Sequence, residues 1–264
     1  MKKMDRMTPM AVGGALVAVF ASMIVDGSSP TLLFKPAPMI LVFGGTALAA
    51  AGGFMKKDVS KMKNVLKSAM GVPEDDPDED IAKLVSLAEL ARRDGLLALD
   101  KAAEKVEDPF FQRGLQMTAD GIDPEEIQDI LEGDIMAMKE RHKAGAKFFG
   151  DMGGFSPTLG IIGTVIGLIH VLANLSNPNV IGPAIGSAFT ATLWGVLAAN
   201  LLWLPISNKL KRASELEVHH KKMVLDGLLA IQAGSSPRLI QTRLQSYLST
   251  SERGAGGKSS KEAA

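Results

Sequence analysis

The chain has 264 residues, no net formal charge and no cysteine, which excludes disulfide frameworks, thiolate metal sites and a cysteine nucleophile. Hydrophobic residues make up 46% but aromatics only 5%, so small aliphatic side chains carry the apolar content, a composition suited to close helix–helix packing in lipid. The neutrality conceals two polar pieces of opposite sign: residues 56–151 hold 15 Lys/Arg against 22 Asp/Glu, and residues 208–264 hold 10 against 5, an asymmetry that points to charged partners as readily as to solvated surface.

In chain order, the basic start MKKMDRM precedes an uncharged apolar run, Met7–Val25. A secretory signal is the rival reading of a positive flank followed by an apolar stretch. A second run, Pro36–Met55, follows a short loop around Asp26–Lys35, so both are read as retained membrane spans.

The polar middle, about residues 56–150, lacks alternating β-branched runs and is rich in Ala, Leu, Lys and Glu, which predicts helices. Gly71–Asp80 is an acidic, Pro-containing break before a helix over about Glu79–Ala91. Its apolar side carries Ile81, Leu84, Val85 and Ala88, with Leu87 at the edge. Asp94-Gly95 interrupts it and Leu96–Val106 resumes it; Asp108-Pro109 and Asp123-Pro124 each open a further helix. The last of these continues into the third span.

Met152–Asn208 then runs for 57 residues without Asp, Glu, Lys or Arg. A crossing takes roughly 20 apolar residues, so this stretch holds two: Gly153–Ala173 and Gly182–Ser207, separated by the turn-forming Asn174-Leu175-Ser176-Asn177-Pro178-Asn179. An amphipathic helix, Lys209–Ala233, extends from the fourth span with Leu210, Ala213, Leu216, His220, Val224 and Ile231 at helical spacing. Gly234-Ser235-Ser236-Pro237 ends it, a short helix to Leu248 follows, and Gly254–Ala264 has a disordered composition.

The expected fold is therefore an all-α integral membrane protein with four transmembrane helices and a helical cytoplasmic domain. The expected segments are 1–55 (first two spans), 56–150 (cytoplasmic), 151–208 (last two spans), 209–250 (cytoplasmic helices) and 251–264 (tail). Lys/Arg clusters precede the first span, follow the second, precede the third and follow the fourth, whereas the short loops hold only Asp26 and Lys35. The positive-inside rule then puts both termini and the middle segment in the cytoplasm.

No Walker sequence, spaced His/Cys cluster or GxSxG is present, so neither an enzyme nor a resident cofactor or metal is expected. His219 and His220 are adjacent, which aims their rings about 100° apart on a helix and prevents joint chelation. The spans are more informative. Gly160, Thr164 and Gly167 share one face of the third span, and Gly163 and Gly167 form a GxxxG. Ala188, Thr192, Gly195 and Ala199 make a matching face on the fourth. Packing alone accounts for small faces. Thr164 and Thr192 allow two roles: bonding a carbonyl one turn back, or facing a partly wet path and stripping water from an ion. Thr190 is a further hydroxyl of the fourth span. Pro157 has the bland option of a first-turn position; Pro205 follows a full helical run and should free the Leu201 carbonyl and kink the helix. None of the four spans contains a carboxylate, where ion carriers normally keep one. Any ion crossing here would need one from another subunit.

Three stretches together resemble the MotA/PomA flagellar stator proteins. One runs from Arg141-His142-Lys143-Ala144-Gly145-Ala146 through Met152-Gly153 to Ser156-Pro157-Thr158-Leu159-Gly160-Ile161-Ile162-Gly163-Thr164 and Gly167. The second is Ala188-Phe189-Thr190-Ala191-Thr192-Leu193-Trp194-Gly195 with Ala199-Asn200 and Pro205-Ile206. The third is Ala91-Arg92-Arg93-Asp94-Gly95-Leu96-Leu97-Ala98-Leu99-Asp100. The resemblance implies an inner-membrane ring, pentameric in the family, around a MotB/PomB-like subunit that grips peptidoglycan and brings the ion-binding aspartate. It implies passage of a proton or sodium ion, with Thr164, Thr192 and Thr190 on the pathway and no cofactor. It implies Pro157 and Pro205 as coupling prolines. It also implies contact of Arg92 and Asp100, with Arg93 and Glu104 secondary, to the rotor protein FliG. Asp100 replaces the family's usual Glu, and Lys101 stands where some relatives carry a second acid. The Thr164/Thr192 pair resembles that of sodium-driven members. Membrane lipid is the other implied partner and nucleic acid is not one. The competing readings are an ExbB/TolQ-type energiser of envelope processes, which would have three spans, and a scaffold without ion flux.

Overall fold

The computed structural model describes residues 7–69 and 77–248, and all regular structure among them is helical. The acidic break at Gly71–Asp80 lies mostly outside the described residues, as does the Gly254–Ala264 tail. The chain forms two compact units, each assembled from two separate stretches: Met1–Val72 with Arg141–Ala213, and Pro73–Glu140 with Ser214–Ala264.

In the first unit, α1 (Met7–Val25) buries none of its side chains. A chain of sharp turns, including a 3-10 turn at Pro30–Leu33, leads to α2 (Pro36–Ala51). The apolar run expected to reach Met55 stops forming helix at Ala51, before Gly52-Gly53, and α3 (Met62–Ala69) follows. At 1.5 Å per residue α2 is roughly 24 Å long, a little short of a hydrocarbon core of about 30 Å. Two much longer helices complete the unit: α7 (Pro124–Ala173, 50 residues) and α8 (Pro178–Gln232, 55 residues). With α1, these are, among the described residues, the three helices long and apolar enough to cross a membrane. The helix opened by Asp123-Pro124 does continue without a break into the third expected span. Asn174–Asn177 separates α7 from α8, four residues earlier than the expected start at Gly182.

α2, α7 and α8 pack through two clusters. Leu33, Val42, Trp194 and Ala198 form one; Ala50, Phe148, Phe149 and Met152 form the other. Two buried hydrogen bonds fasten them: Trp194 Nε1 donates to the Leu33 carbonyl at 2.7 Å and Ser207 Oγ to the Ala146 carbonyl at 2.8 Å. On the other side of α7, Ile161, Ile166 and Ile169 remain 57%, 55% and 60% exposed. Such a continuous apolar face is tolerated only against lipid or another subunit.

The second unit is a conventional core. It is built from α4 (Pro77–Asp94), α5 (Ala98–Ala103), α6 (Pro109–Ala119), the N-terminal part of α7, the C-terminal part of α8 and α9 (Pro237–Leu244). Leu84, Leu99, Leu115, Ile127, Leu131, Leu228, Ile240 and Leu244 are completely buried, each worth about 1.5–3 kcal/mol in area removed from water. The expected apolar side of α4 is the buried one: Ile81, Leu84, Leu87 and Ala88 are inside, with Val85 packed against them. The helix starts are chemical. Asp108 accepts from the Phe110 amide and Asp123 from the Glu125 amide, both at 2.9 Å, each ahead of a proline. In α8 the expected stripe holds at His220, Val224 and Ile231 but not at Leu216, which is 44% exposed. Met223 and Leu228 carry the inward face beyond it.

Candidate functional site

The geometry of the membrane unit follows from missing side chains. A Cβ on Gly160 would lie 2.9 Å from the Ala191 carbonyl oxygen, and one on Gly195 would lie 2.7 Å from that of Ser156. On Gly167 it would strike Ala188, and on Gly163 it would meet Ala191 Cβ at 2.6 Å. These glycines therefore let the backbones of α7 and α8 touch. The small-residue faces read from the sequence are the faces in contact.

That approach brings Thr164 and Thr192 together. Their hydroxyls hydrogen-bond to each other. Thr164 Oγ1 also lies 3.2 Å from its own Gly160 carbonyl and 3.1 Å from the Ala188 carbonyl of the facing helix. Thr192 Oγ1 reaches the Gly160 carbonyl at 3.4 Å. Of the two expected roles, Thr164 takes the carbonyl one turn back, at Gly160, while Thr192 bonds across the helix interface instead. The result is a half-buried group of four oxygens, two hydroxyl and two carbonyl, with no charge. Hard cations prefer oxygen donors of this kind. Thr190 stands apart. It is buried and donates to Gly186 within its own helix at 2.7 Å.

The two prolines have different surroundings. Pro157 is not at a helix start: it lies deep inside α7, because the helix begins 33 residues earlier, at Pro124. It removes one backbone bond near the start of the expected third span, Gly153–Ala173. Its neighbour Thr158 donates from Oγ1 to the Phe155 carbonyl at 2.7 Å. Pro205 sits directly after a π-helical segment, Ala198–Trp203. Its missing N–H is accommodated by widening the preceding turn, a common response to a broken i→i−4 ladder and a frequent mark of functional sites. A second π segment, Ile40–Gly45, lies in α2. A contact the sequence reading missed is Lys35, whose Nζ donates to the Pro183 carbonyl at 3.0 Å. Trp194 and Ser207 were also missed as fasteners. Nothing in local sequence signals bonds between residues 61 to 161 positions apart.

In the second unit, Arg92, Arg93, Asp100 and Glu104 are all exposed around the corner between α4 and α5. Gly95, at φ +85°, makes that corner, a backbone state that favours glycine. The four do not pair with one another. Arg93 instead grips Asp94 with two contacts of 3.0 Å, and the guanidinium holds the Asp94 carboxyl below its ordinary range. Elsewhere in this unit His220, only 7% exposed, meets Asp80 at 2.9 Å, while His219 turns away to the Tyr247 carbonyl. Burial pushes the Asp80 carboxyl up, but the hydrogen bonds and charges of His220 and Lys83 outweigh it, leaving it below its usual value. No cluster of metal-ligating side chains occurs among the described residues.

Residues 102–223 match the MotA/TolQ/ExbB proton channel family. The chain is 37% identical to Motility protein A of Bacillus subtilis, over 95% of this chain and 93% of the relative. It is 32% identical to the chemotaxis protein PomA of Vibrio alginolyticus, over 95% and 98%. Its fold matches a chain of the flagellar MotAB stator complex from Bacillus subtilis with a TM-score of 0.89 and 36% identity, covering 94% of this chain and 98% of that one.

Proposed function

This chain belongs to the MotA/PomA family of flagellar stator proteins, and from that premise we propose how it turns ion flow into torque. It is a multi-pass inner-membrane stator subunit and not an enzyme. The ExbB/TolQ reading yields to the near-full-length likeness to motility proteins, even though only three helices have full membrane-spanning length. α2 serves as the remaining span. Its shortfall of a few ångströms is within what local thinning and flanking lysines accommodate, and Lys35 and Lys56 stand on either side of it. Both termini and the second unit face the cytoplasm, as the distribution of Lys and Arg demands.

Several copies ring a MotB-like partner, pentameric as in the family, and the partner anchors the assembly to peptidoglycan. The ion is stripped of water against the Thr164–Thr192 oxygen group and handed to the partner's carboxylate, since the spans of this chain hold none. A proton and sodium are both open on composition. The four uncharged oxygens favour sodium. Pro157 and the Pro205 π segment supply the compliant points at which α7 and α8 move. Arg92 and Asp100, assisted by Arg93 and Glu104, push the rotor protein FliG; exposed ion pairs worth about 0–1 kcal/mol each release as readily as they form.

The single observation carrying this reading is the contact of two threonine hydroxyls across a glycine-lined helix interface in spans that contain no acid. Reconstitution tests it. Liposomes holding this chain alone should show no selective cation current, and co-reconstitution with its partner subunit should restore one. Selective conductance from the chain alone would overturn it. In cells, swimming speed that tracks external sodium supports sodium; speed indifferent to sodium but abolished by a protonophore assigns the proton.

A further inference from the structure

We propose that Leu97 is an apolar anchor through which this chain seats itself on the rotor, with the surrounding charges acting as its rim. The inference rests on the reading that the corner between α4 and α5 faces the rotor. At 76%, Leu97 is the most exposed large hydrophobic residue of the second unit, although its neighbours go inward: Leu99 is completely buried and Leu96 packs against the core. An isolated exposed leucine is ordinary. This one is held in place. Gly95 turns the chain at φ +85°, and Leu97 already has helical angles at the start of α5. Its side chain therefore shares a helix face with Asp100 and Glu104, three and seven residues on.

Arg92 closes the other side of the corner from the end of α4. Arg93 and Asp94 neutralise each other. What is presented is one exposed apolar side chain on a helix face with two carboxylates, five residues after the exposed cation of Arg92. Weak surface ion pairs orient an encounter but add little affinity. An apolar side chain buried inside a charged rim adds affinity through the area it removes from water. The complementary partner surface is an apolar socket with a carboxylate opposite Arg92 and a cation opposite Asp100.

The test uses the intact stator complex in nanodiscs and the immobilised rotor protein. Leu97→Ala should weaken binding roughly tenfold, the loss expected when about two of the three carbons it removes are buried in the contact. Leu97→Met should bind within about twofold of the parent, because the volume is conserved. Leu239→Ala, a 57% exposed leucine elsewhere in the unit, should have no effect. Unchanged melting of each complex confirms that the fold is intact. If Arg92→Glu weakens binding and Leu97→Ala does not, the anchor is refuted while the rotor-facing reading stands. If neither changes binding, the rotor-facing reading of this corner falls and the anchor with it.

Discussion

Gly195→Ala is the sharpest perturbation of the membrane site. The new methyl would sit 2.7 Å from the Ser156 carbonyl oxygen and 3.0 Å from Gly160 Cα, where ordinary contacts begin near 3.4 Å. Both obstacles are backbone, so no side chain can swing away. α7 and α8 must separate locally by about 0.7 Å, the difference between those contact distances. The contacts from Thr164 to Ala188 and from Thr192 to Gly160, already long for hydroxyl bonds at 3.1 and 3.4 Å, are then lost, since O–H···O bonds hold at about 2.5–3.0 Å. Overpacking of this kind costs about 1–3 kcal/mol. For a chain of this size that is roughly 2–4 °C of melting temperature per kcal/mol.

The control is Gly154→Ala in the facing helix α7, where an added Cβ meets nothing within 4 Å. It should be neutral or gain roughly 0.5–1 kcal/mol of helix propensity. The assay is the melting temperature of the purified complex beside swimming speed. Gly195→Ala should lose both stability and motility, and Gly154→Ala neither. A Gly195→Ala protein that melts and swims like its parent would show that the glycines are not what brings the threonines together.

Thr192→Val removes one hydroxyl at nearly constant volume and leaves Thr164 its two carbonyl partners. Stability should change by about 1 kcal/mol or less while swimming speed falls and loses its dependence on the driving cation; Thr192→Ser should restore it. Pro205→Ala supplies an N–H for the Leu201 carbonyl and removes the need for the π segment. Interior proline is costly in a helix, up to about 3 kcal/mol, so the variant should melt no lower than the parent and yet produce less torque in tethered cells. Asp80 has a folded pKa below its ordinary 3.8, so its ionised pairing with His220 and Lys83 stabilises the fold above that value and is lost as pH falls through and below it. Asp80→Asn should therefore cost about 1–2 kcal/mol near neutrality, discounted for partial solvent screening. The gap between parent and variant should close as melting is followed below pH 4, and a gap that widens in acid would contradict the assignment.

Local chemistry made much of this chain legible in one dimension. The uncharged length from Met152 to Asn208, the Asp-Pro pairs that open α6 and α7, and the glycine at residue 95 act within a few residues of themselves, so their consequences can be read in order. The absence of any carboxylate from the spans belongs to the same class. Three-dimensional packing decided the rest. That Gly160 meets Ala191 rather than another small residue, and that Thr164 meets Thr192 while Thr190 turns into its own helix, depends on the rotation and register of two helices. Helical periodicity allows several such registers, and only close packing selects one. The first-turn option for Pro157 fails because the helix opened at Pro124 runs on through it. Leu216 and Leu97 are exposed although their periodicity or apolarity would bury them, because burial is conferred by whatever neighbour arrives from elsewhere in the chain, and none does.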